Sequence, residues 1–214
     1  CCSDFVISDI DDAIEYAINN SNVDTSKIFV IGLSGGGYTT LGVFMKSKYN
    51  INKFSAWASI SDLTAWYYES LIRRPKYAID ILSCTDTSKN ELNEKKAKMK
   101  SPIYMDLPSN RLNNSKLYIY AGIYDGLKGS VPFTHSINFY NRILSDFNVT
   151  DKSPMISDSE KLKLLEFRKP LGNYGKIANR QIFLEKQYKN IKIAIFEGGH
   201  EMLTEYAFNE LIFK

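Results

Sequence analysis

This chain has few of the residues that build metal centres and disulfide scaffolds. Its 214 residues include two histidines, His135 and His200, and three cysteines, Cys1, Cys2 and Cys84. No Cys-x-x-Cys pair occurs and a catalytic zinc would lack ligands, so neither a metal nor another cofactor is expected. Three cysteines also make no disulfide framework. Charge of one sign is missing as well: 27 basic against 24 acidic residues leave a net +3, too balanced for a nucleic-acid partner or an acidic membrane surface. The densest basic run, Lys95 to Lys100, reads as a solvated helix face. No apolar stretch approaches the roughly 20 residues of a membrane span, so no transmembrane segment is expected. Internal repeats and low-complexity tracts are absent. The chain opens Cys1-Cys2-Ser3-Asp4, without initiator methionine or signal peptide. It reads either as the processed start of a lipoprotein whose first cysteine carried lipid, or as a piece that begins inside a domain. Cytoplasmic and exported locations both stay open.

What is present is a core-building composition, 44% hydrophobic, enough for a single domain over residues 1–214. Ile7, Ile10, Ile14 and Ile18 fall at helical spacing. Four short apolar runs read as strands: Lys27 to Ile31, Phe54 to Ile60, Lys116 to Gly122 and Ile191 to Phe196. Helical segments separate them: Tyr38 to Lys48, an irregular stretch from Trp66 to about position 109, Val131 to about Leu144, and a last helix from about Leu203. Strands alternating with helices imply a doubly wound, mostly parallel α/β sheet. Residues 146–190 carry no dominant period and read as an insertion with some helix and a hairpin, and residues 63–110 as a possible lid.

Between the first strand and its helix stands Gly32-Leu33-Ser34-Gly35-Gly36. Strand, sharp turn and helix with a serine at the tip is the arrangement of a nucleophile elbow, where small neighbours let the hydroxyl project above the sheet. Serine needs a base, usually histidine, and the base needs an orienting carboxylate. His200 follows the last strand and a Gly-Gly pair, at the strand end where open α/β sheets place their sites. His135 is the alternative base, inside a predicted helix. Asp125 follows the third strand in Gly122-Ile123-Tyr124-Asp125-Gly126; Asp62, just past the second strand, is the alternative acid and equally reads as a helix cap. The order Ser34, Asp125, His200 is that of α/β-hydrolases. The N–H of Gly35, the residue after the serine, is one oxyanion donor. Trp57, Trp66, Tyr67 and Tyr68 are cleft candidates that equally read as core, and Arg73, Arg74 and Arg168 are candidates for a substrate carboxylate that equally read as solvated.

On these residues the chain resembles the C-terminal part of an α/β-hydrolase catalytic domain, close to the prolyl-oligopeptidase and related esterase group. The matching pieces are Ile31 to Tyr38, Ala121 to Gly126, Ser130 to Ser136 and Phe196 to Glu201. The resemblance implies a serine that attacks a carbonyl, a histidine that shuttles the proton and an aspartate that orients it. It also implies about four earlier strands that this chain does not show, and a second oxyanion donor upstream. A missing N-terminal segment or a partner chain is therefore expected to complete the sheet. The expected activity is hydrolysis of a small ester, including an acylated carbohydrate, or of a peptide bond. The alternatives are a prolyl-oligopeptidase-like peptidase and a hydrolase-like binding module without catalysis.

Overall fold

The computed structural model describes residues 1–86, 91–108, 111–147 and 149–213. In chain order the elements are α1 (Asp4–Asn20), β1 (Phe29–Leu33), α2 (Gly35–Lys46), β2 (Lys53–Trp57), α3 (Leu63–Arg73), α4 (Pro75–Cys84), α5 (Glu94–Met99), α6 (Arg111–Asn114) and β3 (Lys116–Gly122). They continue with α7 (Thr134–Asp146), α8 (Asp158–Phe167), β4 (Lys176–Ile177), β5 (Arg180–Tyr188), β6 (Ile191–Phe196) and α9 (Thr204–Phe213). Positions 87–90 and 109–110 of the possible lid, and position 148 of the insertion, lie outside the described residues.

Local chemistry fixes the helix ends. Ser3 caps α1 by accepting from the Val6 amide, and α8 opens with a reciprocal capping box between Ser157 and Glu160. α3 stops at Arg74 because a residue before proline is pushed out of the helical region. Pro75 then starts α4, at a position where its missing N–H costs nothing.

The strands form one sheet in the order β1-β2-β3-β6-β5-β4. β1, β2, β3 and β6 run parallel, while β5 pairs antiparallel with β6. Among the described residues the sheet has six strands: the four apolar runs, and the hairpin β4–β5 expected within the 146–190 segment. Along the central strands the side chains divide by the period of two. Phe54, Ala56, Leu117, Ile119, Ile191 and Ile193 join the larger core with α2 and α7. Trp57, Tyr120, Ala194 and Phe196 turn to the opposite face, with Ala207 of α9. Trp57 stacks on Tyr120 at 4.2 Å between centroids, which makes it core rather than cleft. Among the described residues β1 pairs with β2 alone, and its Ile31 is 40% exposed. No helix among the described residues is long and apolar enough to cross a membrane.

The cysteines depart from expectation. Cys1 and Cys84 form a disulfide across 83 residues, their Cα atoms 6.1 Å apart, because the fold brings the end of α4 to the start of α1. Cys2 stays free and is 1% exposed; burial pushes its thiol up to about 11. The thiolate is the reactive form, so native Cys2 should resist iodoacetamide at pH 8. Without reductant, unfolding should release one alkylatable thiol per chain; rapid native labelling would contradict this placement. The sign on stability follows: the unfolded thiol ionises near pH 9 and the folded one near 11, so stability should fall across that window. Cys2→Ala should flatten the fall.

Candidate active site

β1 ends at Leu33, and Ser34 turns the chain into α2 with φ 58° and ψ −116°. This left-handed backbone is unfavourable for a non-glycine residue by about 1–3 kcal/mol. The surroundings hold it there: the Ser34 amide donates to the Trp57 carbonyl at 2.9 Å, and the Ser34 carbonyl accepts from the Tyr38 amide at 2.8 Å. Gly35 is the first residue of α2, so its N–H has no acceptor within the helix and stays available to an anion.

β3 leads to Asp125, whose side chain has no exposed surface. Its Oδ1 accepts from the amides of Gly126 at 3.0 Å and Val131 at 3.1 Å. Its Oδ2 accepts from His200 Nδ1 at 2.7 Å, and His200 stands in the loop after β6. With Nδ1–H engaged by a carboxylate, Nε2 is the free, proton-accepting nitrogen. Glu201 braces that loop: Oε1 accepts from the Gly199 amide at 3.0 Å and Oε2 lies 3.5 Å from Arg180 on β5. Ser34, Asp125 and His200 thus all stand past the carboxyl ends of parallel strands of one sheet. The structure joins Asp125 to His200, and it leaves the half-buried Ser34 hydroxyl without a hydrogen bond among the described residues.

The alternative residues sit elsewhere. His135 is 2% exposed; its Nδ1 accepts from the amides of Ser61 at 3.3 Å and Asp62 at 3.4 Å. The proton therefore rides on Nε2, 3.0 Å from Glu69 Oε2. Both ring nitrogens are committed to joining α7, α3 and the end of β2. Asp62 caps α3 through the Thr64 and Ala65 amides at 2.9 and 3.2 Å, and accepts from the Tyr104 hydroxyl at 2.8 Å. Burial and then the Asp62 carboxylate push that tyrosine up to about 12.

A sequence profile of the prolyl oligopeptidase family matches residues 4–146. The chain belongs to the prolyl oligopeptidase family. The matched segment includes Ser34 and Asp125, while His200 lies beyond it. Among solved structures, the chain is similar to an acylaminoacyl peptidase of Pyrococcus horikoshii at 19% identity and TM-score 0.50, over 65% of this chain and 21% of that one. It is likewise similar to a puromycin-hydrolysing peptidase of Mycobacterium tuberculosis, at 18% identity and TM-score 0.51 over 65% and 19% of the two chains. Prolyl oligopeptidase B of Galerina marginata matches at 16% identity and TM-score 0.51, over 65% and 18%. These likenesses show the α/β-hydrolase fold, and the chain spans about one fifth of each of those proteins. No curated protein sequence matches this chain.

The elbow of this family member is packed by only one of the two glycines that define the pentapeptide, and by one glycine beyond it. A Cβ on Gly32 would meet the Gly36 carbonyl carbon and oxygen at 2.2 Å, and one on Gly37 would meet Ser59 Oγ at 2.4 Å and the Trp57 carbonyl at 2.6 Å. A Cβ on Gly36 would meet nothing within 4 Å. Gly32→Ala and Gly37→Ala should therefore each cost about 1–3 kcal/mol or more in urea unfolding. Gly36→Ala, which adds helix propensity in open space, should leave stability unchanged or raised by up to about 1 kcal/mol. Equal losses at all three positions would refute this packing.

Proposed function

We propose that this chain carries the catalytic triad of a serine hydrolase that cleaves peptide bonds by acyl transfer, with Ser34 as nucleophile, His200 as base and Asp125 as its orienting acid. The observation that carries the reading is the 2.7 Å hydrogen bond from His200 Nδ1 to a fully buried carboxylate. It stands at the same sheet edge as a serine held in a strained turn. His200 Nε2 takes the proton as Ser34 Oγ attacks the substrate carbonyl, and returns it to the leaving amine. Water then cleaves the acyl-enzyme by the same route. The Gly35 N–H faces the developing oxyanion; one aimed donor lowers such a barrier by about 2.7–4 kcal/mol. A second donor and the free edge of β1 call for chain outside these residues or for a partner chain. Residues 63–110 and 146–190, which flank the loops of the site, are the proposed determinants of specificity.

Family membership favours the peptide bond over the ester. The puromycin-hydrolysing and acylaminoacyl peptidases of like fold make a free or blocked peptide the first substrate to try. In the full-length protein a fluorophosphonate probe should label Ser34, and Ser34→Ala should lose both labelling and turnover. Absence of labelling in the wild type would favour a non-catalytic binding module. His200→Ala should lower kcat by about 10⁴-fold or more, whereas His135→Ala should keep most activity per folded molecule. The reverse order would overturn the assignment of the base. Comparing a peptide p-nitroanilide with p-nitrophenyl acetate separates peptidase from esterase, and acetate cleavage alone would sink the peptidase reading.

A further inference from the structure

Resting on the reading of Asp125 as the triad acid, we propose that Trp66 is its positioning residue, acting through a single peptide group, with Arg73 fixing the other end of the same loop. The loop from Asp125 to Val131 wraps its own carboxylate. The Val131 amide donates to Asp125 Oδ1 at 3.1 Å. The carbonyl of that same peptide group belongs to Ser130, and it accepts from the Trp66 indole Nε1–H at 3.0 Å. The links are continuous: the indole N–H donates to the peptide carbonyl, the peptide N–H donates to the carboxylate, and the same carboxylate accepts from His200 Nδ1–H at 2.7 Å. Hydrogen bonds in series polarise one another, so the indole strengthens the amide that holds the acid as well as orienting it.

The loop has little slack. A Cβ on Gly129 would lie 2.2 Å from Asp125 Oδ1 and 2.7 Å from His200 Cβ, so its backbone lies directly against the acid–base pair. Its outer side is held from α3 at alternate carbonyls. Trp66 takes Ser130, Arg74 reaches Lys128 at 3.4 Å, and Arg73 Nη1 donates to Gly126. α3 is itself a fixed support, capped by Asp62 and tied through Glu69 to buried His135. The half-buried Trp66 ring packs on Tyr77 at 5.1 Å between centroids. A displaced carboxylate would leave the imidazole free to turn, which lowers the transition-state contribution of the pair and leaves substrate binding alone.

The test uses the full-length protein with Trp66→Phe and with Trp66 replaced by β-(3-benzothienyl)alanine, which keeps the indole shape and loses only the N–H. Tyr16→Phe, an exposed change on α1 remote from the loops of the site, is the control. Both Trp66 variants should lower kcat about three- to tenfold with KM within about twofold, the size of one neutral hydrogen bond. In both, the far-downfield proton resonance of His200 Nδ1–H should move upfield, and Tyr16→Phe should move neither quantity. Wild-type kcat and an unshifted proton in the benzothienyl variant would overturn the proposal, and would assign any loss in Trp66→Phe to packing. The proton resonance reports on the Asp125–His200 bond whether or not Ser34 reacts, so this inference and the peptidase reading fail separately.

Discussion

Asp125 puts a carboxylate with no exposed side-chain surface into the junction between two loops, and a buried charge is tolerable only when every oxygen is met. Two amides meet Oδ1 and an imidazole meets Oδ2, and each partner constrains a different part of the chain. The amides force the 125–131 loop to curl back on its own first residue, which in turn needs Gly126 at φ 86°. The imidazole draws the loop after β6 across to the loop after β3. Gly122 lies under that crossing, where a Cβ would meet the Gly198 and Gly199 backbones at 2.2–2.4 Å. Satisfying one anion thereby fixes how the ends of the two central strands meet.

The sheet can support this junction because its two faces are filled by different means. On the α2 and α7 side the core is mostly aliphatic, with rings such as Phe44, Phe54, Phe139 and Tyr140 among the aliphatic side chains. On the α9 side, aromatic rings stack around a buried carboxylate, Glu210. Glu210 accepts from the Tyr120 hydroxyl at 2.6 and 2.7 Å and from Lys192 Nζ at 2.7 Å. Breaking one partner would strand a buried charge, which costs far more than the pair contributes when intact. The polar cluster therefore specifies where α9 docks, and the apolar area supplies the driving force.

Much of this was legible in the residues. The central parallel strands stand in the sequence as apolar runs, and Ser34, Asp125 and His200 each follow one of them. β5 was legible only as part of an unplaced hairpin, because its buried residues Ile182, Phe183 and Leu184 are consecutive, around a bulge that breaks the period of two. The pairing of Cys1 with Cys84 depends on where α4 ends in space, which no spacing encodes. The tight glycines of the elbow were half visible. The motif marks Gly32, but the need for Gly37 arises from Ser59 and Trp57, on a neighbouring strand and the turn beyond it. Trp66 stood out only as an aromatic for the cleft or the core, since an indole bonded to a loop carbonyl looks in sequence like any half-buried aromatic.

The register explains why the loops after β3 and β6 are long while the turn after β1 is abrupt. Leu33, Trp57, Tyr120 and Ala194 lie in one row across the parallel strands. Ser34 is one residue past that row, Asp125 five and His200 six. Strands lie about 4.8 Å apart, so β3 is roughly 10 Å and β6 roughly 14 Å to the side of β1. In the proposed triad, a side chain directly at the end of β6 would be too far from Ser34 to exchange a proton. The extra residues supply the length that the proposed transfer needs, but a free loop of that length would also scatter its side chain over many positions. The hydrogen bonds that close the Asp125 loop, and the Glu201 brace behind His200, remove that freedom. Reach comes from loop length, and placement comes from the bonds that close each loop on itself.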